Sequence, residues 1–111
     1  MVNRDRVVKT FLDYVQIDSE THHEHEMTQR LIADLEALGL TVTTDEAGKA
    51  ADSDGANVYC HIDGDPDSDC ILFSSHMDTV TPGKGIRPQI KDGYIYSDGT
   101  TVLGADDKSG V

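Results

Sequence analysis

An imidazole and a carboxylate stand one residue apart in the stretch CILFSSHMDTVTPGKG, residues 70–85. The continuous apolar run at 71–73 predicts a strand that is buried on both faces of a sheet. His76 lies just past its end, and side chains two residues apart in an extended chain point to the same side. Asp78 could then hold one ring nitrogen while the other faces a metal ion. The alternative on this stretch alone is a structural histidine that its neighbouring aspartate caps.

A second stretch with residues that could take part in catalysis or metal binding is SDGTTVLGADDKSGV, residues 97–111. In it, small residues lead into two adjacent carboxylates. Neighbouring side chains diverge, so only one of Asp106 and Asp107 is expected to be a metal ligand. A helix is predicted to start here, and capping of that helix is the alternative role for either carboxylate. Lys108 is expected to be solvated or ion-paired.

Composition and charge exclude several classes of function. A formal net charge of -12 disfavours binding to nucleic acids and to anionic membranes, which both require clustered cations. No apolar run approaches the roughly 20 residues that a membrane span needs. The two cysteines, Cys60 and Cys70, have neither CxxC nor zinc-finger spacing, so free thiols in a reducing compartment are expected. The predicted location is the cytoplasm.

Hydrophobic periodicity predicts two helices followed by strands. The first helix is expected from about Asn3 to Ile17, and the second is expected to begin at a capping box of Thr21 and Glu24 and to end at Gly39. Strands are predicted at 40–46, 57–62 and 70–75, and a hairpin at 89–96 turns at Asp92-Gly93. The predicted class is α/β, with two helices before a mixed β-sheet, in one domain over residues 1–111.

The motifs SSHMDTV and GADDKSGV, in this order and about thirty residues apart, resemble the dinuclear zinc aminopeptidase, carboxypeptidase and aminoacylase superfamily, specifically its peptidase T-like branch. The resemblance continues through FLDYVQIDSET and RPQIKDGYIYSDGTT. It implies that His76 binds one of two zinc ions, that Asp78 orients His76 in the catalytic site, and that Asp106 bridges both ions. Asp107 would be a structural neighbour. The implied reaction is hydrolysis of a small peptide by a metal-activated water.

The same resemblance implies that the chain is the N-terminal segment of a longer catalytic domain. The family's Glu-Glu pair, a further carboxylate ligand and a final histidine would all lie beyond Val111, together with a lid or dimerisation domain. The chain alone is therefore expected to be inactive as a peptidase. A homodimer formed through the missing domain stays an open alternative.

Two other functions stay open at this stage. One is a carboxypeptidase or N-acyl amino acid deacylase of the same superfamily, and the other is a non-catalytic acidic interaction domain, which would require His76 and Asp106 to lie apart. Two further clusters are interpreted as solvated polar segments. HHEHE at 22–26 lacks HExxH spacing, and the aspartate-rich stretch at 63–69 lacks the glycine and glutamate of a calcium loop and is expected to be a hairpin turn.

Overall fold

Two helices open the chain, α1 at Arg4–Val15 and α2 at His25–Ala37. The computed structural model describes residues 1–111. Asn3 caps α1, because its side-chain oxygen accepts a hydrogen bond from the Arg6 amide at 3.0 Å. The first predicted helix is therefore confirmed to within two residues at either end. No helix has the length and apolar character that crossing a membrane would require.

A polar network joins the two helices beside the buried side chains of Val15 and Met27. The Tyr14 hydroxyl donates to Asp34 at 2.9 Å, and the Arg30 guanidinium donates to the same carboxylate oxygen at 2.8 Å. The guanidinium carbon also lies 5.5 Å from the centre of the Tyr14 ring. Burial, together with the Asp34 hydrogen bond, raises the pKa of Tyr14 to about 12. The tyrosine therefore stays a neutral donor at every physiological pH.

The predicted capping box at the start of the second helix is wrong. His22 adopts a positive φ of 76°, which takes the backbone out of the helical path between Thr21 and Glu24. Glu24 stands at the N-cap position, where its side chain makes no capping bond to the helix. Its carboxylate instead accepts hydrogen bonds from the His22 amide and from the hydroxyl of Ser53.

Four short strands form two separate antiparallel pairs. The elements are β1 Val42–Thr44 with β2 Val58–Cys60, β3 Gln89–Lys91 with β4 Tyr94–Tyr96, and the short helices α3 Ala47–Ala50 and α4 Ala105–Lys108. The second pair is the predicted hairpin, in which Asp92 and Gly93 adopt φ of 53° and 81°. The α/β class with two helices first is confirmed, and the one parallel pairing is an isolated bridge between Glu20 and Thr79.

The strand predicted at 70–75 does not form. Ile71, Leu72 and Phe73 are 75%, 87% and 89% exposed. A strand is held by hydrogen bonds to a neighbouring strand, and each of the four strands present pairs with one of the other three. The aspartate-rich stretch before it is an exposed turn, but it is not the hairpin turn expected, because no strand follows.

Much of the surface remains uncovered. The accessible area is 8115 Å², whereas a compact protein of this mass exposes about 6,000 Å². The radius of gyration of 15.3 Å likewise exceeds the roughly 13 Å of a compact domain of this length. Every residue from 59 to 76 is exposed, so this segment contributes much of the excess area.

Candidate active site around His76

The imidazole of His76 lies between two carboxylates. Its Nδ1 is 2.9 Å from Asp78 Oδ1, and its Nε2 is 2.9 Å from Asp106 Oδ1, thirty residues further along the chain. The expected hydrogen bond of His76 to Asp78 and its expected approach to Asp106 are confirmed. The expected place of that approach, the carboxyl edge of a sheet, is wrong, because no strand leads into His76. The Asp106 hydrogen bond is the main cause of a raised pKa at His76; Asp78 adds to it and partial burial opposes it. The acidic interaction domain, which required His76 and Asp106 to lie apart, loses its support.

The second oxygen of Asp78 has a partner of its own. Its Oδ2 accepts a hydrogen bond from the Thr21 hydroxyl at 2.6 Å. Burial acts to raise the pKa of Asp78, but the hydrogen bonds from Thr21 and His76 outweigh burial and hold that pKa below its ordinary value. Asp78 is therefore an ionised carboxylate at neutral pH, with one oxygen for the imidazole and one for the hydroxyl. The sequence interpretation missed this role because it assigned the Thr21 side chain to a helix cap.

Backbone pairing places Asp78 beside Thr21. The Thr79 amide donates to the Ser19 carbonyl at 2.8 Å, and the Thr21 amide donates to the Thr79 carbonyl at 3.2 Å. The buried Ser19 hydroxyl donates to the Met77 carbonyl at 2.9 Å. The loop between α1 and α2 thus runs alongside the residues that flank Asp78 and fixes their backbone.

Asp106 belongs to the short element α4, which is an irregular turn. The φ and ψ of Asp106, -93° and 101°, are not helical, and those of Asp107 also depart from helical values. Gly104 occupies the position before α4 with a positive φ of 82° and offers no side chain to cap it. The two carboxylates therefore do not serve as helix caps, which was the alternative role considered for them.

Asp107 diverges from Asp106, as expected for neighbouring side chains. The hydroxyl of Ser75 lies 2.9 Å from Asp107 Oδ2 and 3.0 Å from the Asp107 carbonyl oxygen. Asp106 alone of the two carboxylates hydrogen-bonds to the imidazole of His76. The geometry therefore selects Asp106 as the partner of His76, and Asp107 joins the two motifs through Ser75.

Lys108 is buried, and the expectation of a solvated or ion-paired lysine is wrong. Its side chain is 2% exposed, and its Nζ donates to the carbonyl oxygens of Tyr14 at 2.9 Å and Ile17 at 2.7 Å. The last carbonyls of a helix have no partner within that helix, so the end of α1 provides acceptors for a cation. Burial lowers the pKa of Lys108 to about 8, and the charge of Asp18 opposes this shift. Lys108 anchors the Asp106 segment to α1.

The donors around His76 are a partial fit for a zinc ion. An imidazole nitrogen and a carboxylate oxygen are ligands that zinc prefers, and the Asp106 side chain is 96% exposed and accessible to a further partner. The chain contains no group of three or more histidine, cysteine, aspartate or glutamate side chains placed to hold a metal ion.

Comparison with known proteins gives close relatives over the whole chain, although no family model matches it. The chain is 45% identical to YqjE of Bacillus subtilis over 111 residues, covering 100% of the chain and 30% of YqjE. A tripeptidase structure from Staphylococcus aureus matches with a TM-score of 0.94 and 47% identity, covering 99% of the chain and 30% of that protein. The structure of aminopeptidase PepT from Bacillus cereus matches with a TM-score of 0.91 and 46% identity, covering 96% of the chain and 29% of that protein.

The chain is therefore homologous to tripeptidase and PepT proteins along its length. It spans about a third or less of the proteins it matches, with 30% of YqjE and 29% of the PepT structure covered. The likeness supports a peptidase-related function and an α/β fold of the same kind.

Proposed function

We propose that the chain is the N-terminal part of a metal-dependent aminopeptidase that hydrolyses small peptides, and that it contributes His76, Asp78 and Asp106 to the catalytic site. One observation carries this proposal: both nitrogens of His76 are hydrogen-bonded to carboxylates at 2.9 Å, from segments that are far apart in sequence. The peptidase names of the matching structures support the enzyme class.

Each of the three side chains has a distinct proposed role. Asp78 holds the Nδ1 proton of His76 and so leaves Nε2 as the nitrogen that binds zinc. Asp106, whose oxygen lies beside that nitrogen, is proposed to bridge two zinc ions. When bound, zinc polarises a carbonyl group and makes water a stronger nucleophile at neutral pH.

The chain supplies too few donors for a complete zinc site. Zinc in proteins ordinarily has three or four protein ligands, and His76 and Asp106 are two. We propose that the remaining ligands, the general base and any dimer contact belong to the part of the relatives that the chain does not span. The chain alone is expected to bind zinc weakly and to hydrolyse no peptide. Two free and exposed cysteines, Cys60 and Cys70, fit the proposed cytoplasmic location.

The test is a chimera in which residues 1–111 replace the segment that they match in the S. aureus tripeptidase. We expect this chimera to hydrolyse tripeptides, to lose activity on chelation and to regain it with zinc or cobalt. His76→Ala and Asp106→Ala should each abolish turnover. The matched control is His61→Ala, because His61 is also an exposed histidine but lies outside the site.

Three outcomes would overturn parts of the proposal. An active His76→Ala chimera would remove the assignment of His76 as a metal ligand. A chimera that prefers N-acyl amino acids, or peptides with a blocked amino terminus, would indicate a deacylase or another peptidase type of the same superfamily. Metal-dependent turnover by residues 1–111 alone would contradict the proposal that indispensable groups lie elsewhere.

A further inference from the structure

Four consecutive residues between α1 and α2, Asp18 to Thr21, form what we call the DSET segment. Each of them makes a side-chain hydrogen bond to the stretch 77–85. The bonds are Gly85 amide to Asp18 at 2.8 Å, Ser19 hydroxyl to Met77 carbonyl at 2.9 Å, Gly83 amide to Glu20 at 2.8 Å, and Thr21 hydroxyl to Asp78 at 2.6 Å. The segment therefore holds the backbone on both sides of Asp78, and its last residue holds the Asp78 side chain itself.

The Thr21 hydroxyl donates its hydrogen bond to Asp78. A hydroxyl has one proton to donate, and the other acceptor in reach, the Thr79 carbonyl, is 3.4 Å away, compared with 2.6 Å for Asp78 Oδ2. The short distance is typical of a hydroxyl that donates to an ionised carboxylate. The Thr21 backbone is itself fixed, because its amide donates to the Thr79 carbonyl at 3.2 Å.

Both oxygens of Asp78 are thus anchored, one by Thr21 and one by His76 Nδ1. With Thr21 in place the carboxylate plane cannot turn about the bond that joins it to Cβ. Without the hydroxyl, His76 would be the one side chain that fixes Asp78. The imidazole Nδ1 would then be held by a mobile carboxylate and by its longer contact with the Asp78 carbonyl oxygen, at 3.2 Å. The orientation of Nε2 toward Asp106 would then be less well defined.

We infer that Thr21 is a positioning residue that sets the orientation of His76 through Asp78. This inference rests on the proposed function for its catalytic consequence, but its structural part concerns only residues 1–111. Thr21 touches neither His76 nor Asp106 by any hydrogen bond, so it acts through the carboxylate.

The structural part is tested by nitrogen-15 NMR of the His76 ring in the metal-free 111-residue chain. We expect Thr21→Val to speed the solvent exchange of the Nδ1 proton and to shift the ring nitrogen signals. Thr21→Ser, which keeps the hydroxyl, should restore both. Thr43→Val is the matched control, because Thr43 is an exposed threonine of β1, on a different part of the chain. Should Thr21→Val fold poorly by circular dichroism, the smaller Thr21→Ala carries the same expectation.

The catalytic part is tested in the chimera with the same variants. Thr21→Val should weaken zinc affinity by roughly 10-fold, the lower end of the usual loss when an outer partner of a metal ligand is removed. It should lower kcat by a similar factor with little change in KM, and Thr21→Ser should recover most of both. A Thr21→Val chain with unchanged His76 ring signals would overturn the inference, as would a serine variant that rescues nothing.

The two readouts separate this inference from the proposed function. A chimera without peptidase activity would refute the proposed function, while the NMR experiment still decides whether Thr21 orients His76. Loss of zinc affinity in Thr21→Val with normal His76 ring signals would show that the residue acts by another route, and would also overturn the inference.

Discussion

The segments that meet at His76 and the exposed run at 61–75 differ in what holds them. The DSET segment and the stretch 77–85 contain little regular structure, yet four side-chain hydrogen bonds join them. The run at 61–75 contains the continuous apolar residues 71–73 and has no strand partner. Directed polar bonds can fix a loop once two segments meet, whereas an apolar strand needs neighbours along its edges and faces.

The difference teaches that chemical character alone does not predict burial in this chain. Lys108 is charged and buried because two carbonyl oxygens at the end of α1 accept hydrogen bonds from its ammonium group. Phe73 is aromatic and 89% exposed because nothing in the chain packs against it. Whether each side chain is buried depends on the partners available to it in space. Four predictions test how far this holds.

The largest effect is expected for Phe73→Ala. Its effect on the free energy of unfolding should differ between the isolated chain and the chimera. In the isolated chain, Phe73→Ala should change the free energy of unfolding by less than about 0.5 kcal/mol, as an exposed substitution does. In the chimera, where we expect the run at 70–75 to pair as a buried strand, it should cost about 3 to 5 kcal/mol. Urea unfolding of both hosts measures this, with exposed Ser68→Ala as the control. Equal small effects in both would mean that the run is never buried.

The second prediction concerns the anchor of the Asp106 segment. Lys108→Met keeps an unbranched side chain but leaves the Ile17 carbonyl without its donor and the Tyr14 carbonyl with backbone amide donors alone. We expect a loss of about 1 to 3 kcal/mol of folding free energy in the isolated chain, the usual cost of such unsatisfied groups. Lys91→Met, on the exposed strand β3, should cost little. A more stable Lys108→Met chain would show that the desolvation of the ammonium outweighs its two hydrogen bonds.

The third prediction concerns the orientation of His76 by Asp78. In the chimera, Asp78→Ala should reduce zinc affinity or activity by roughly 10 to 100-fold, because the imidazole loses the carboxylate that fixes its ring. Zinc competition with a chromogenic chelator and tripeptide kinetics measure the two quantities. Asp63→Ala, a change of the same kind in the exposed run, is the control. Unchanged zinc affinity and activity would mean that Asp78 is only a turn residue and does not orient His76.

The smallest effect is a shift in the pKa of His76 in the metal-free chain. The ordinary value is 6.5, and the Asp106 hydrogen bond is the first cause that raises it. Asp106→Asn should therefore lower the pKa of His76, and an NMR titration of its ring proton measures the change. Asp107→Asn is the control, because Asp107 contacts Ser75 instead.

The same raised pKa has a defined effect on stability. The folded chain binds the His76 proton more tightly than the unfolded chain does. The stabilisation of the folded chain by protonated His76 is therefore fully present below the unfolded pKa. It is lost as pH rises through the folded pKa. Asp106→Asn should make the free energy of unfolding change less with pH across this range. An Asp106→Asn chain with the original His76 pKa would contradict the assigned cause.

Local signals were sufficient for several features of the fold and the site. The helix after Asn3 and the hairpin at Asp92-Gly93 could be predicted because a cap and a turn depend on residues within three or four positions. The hydrogen bond of His76 to Asp78 followed from their spacing in extended chain. Its approach to Asp106 was expected because each residue follows a stretch that ends in small residues and because the two motifs resemble a known family. Their roles as zinc ligands stay predictions.

The sequence by itself therefore determined the two helices, the hairpin and the chemical identity of the His76 cluster. Only the tertiary structure decided the use of Thr21, the burial of Lys108 and the exposure of 70–75. Thr21 meets Asp78 across 57 residues, and Lys108 meets Tyr14 across 94. A hydroxyl, an ammonium or an apolar strand will bind whichever suitable partner is nearest in space. The sequence near each of them contains no information about which distant partner that is.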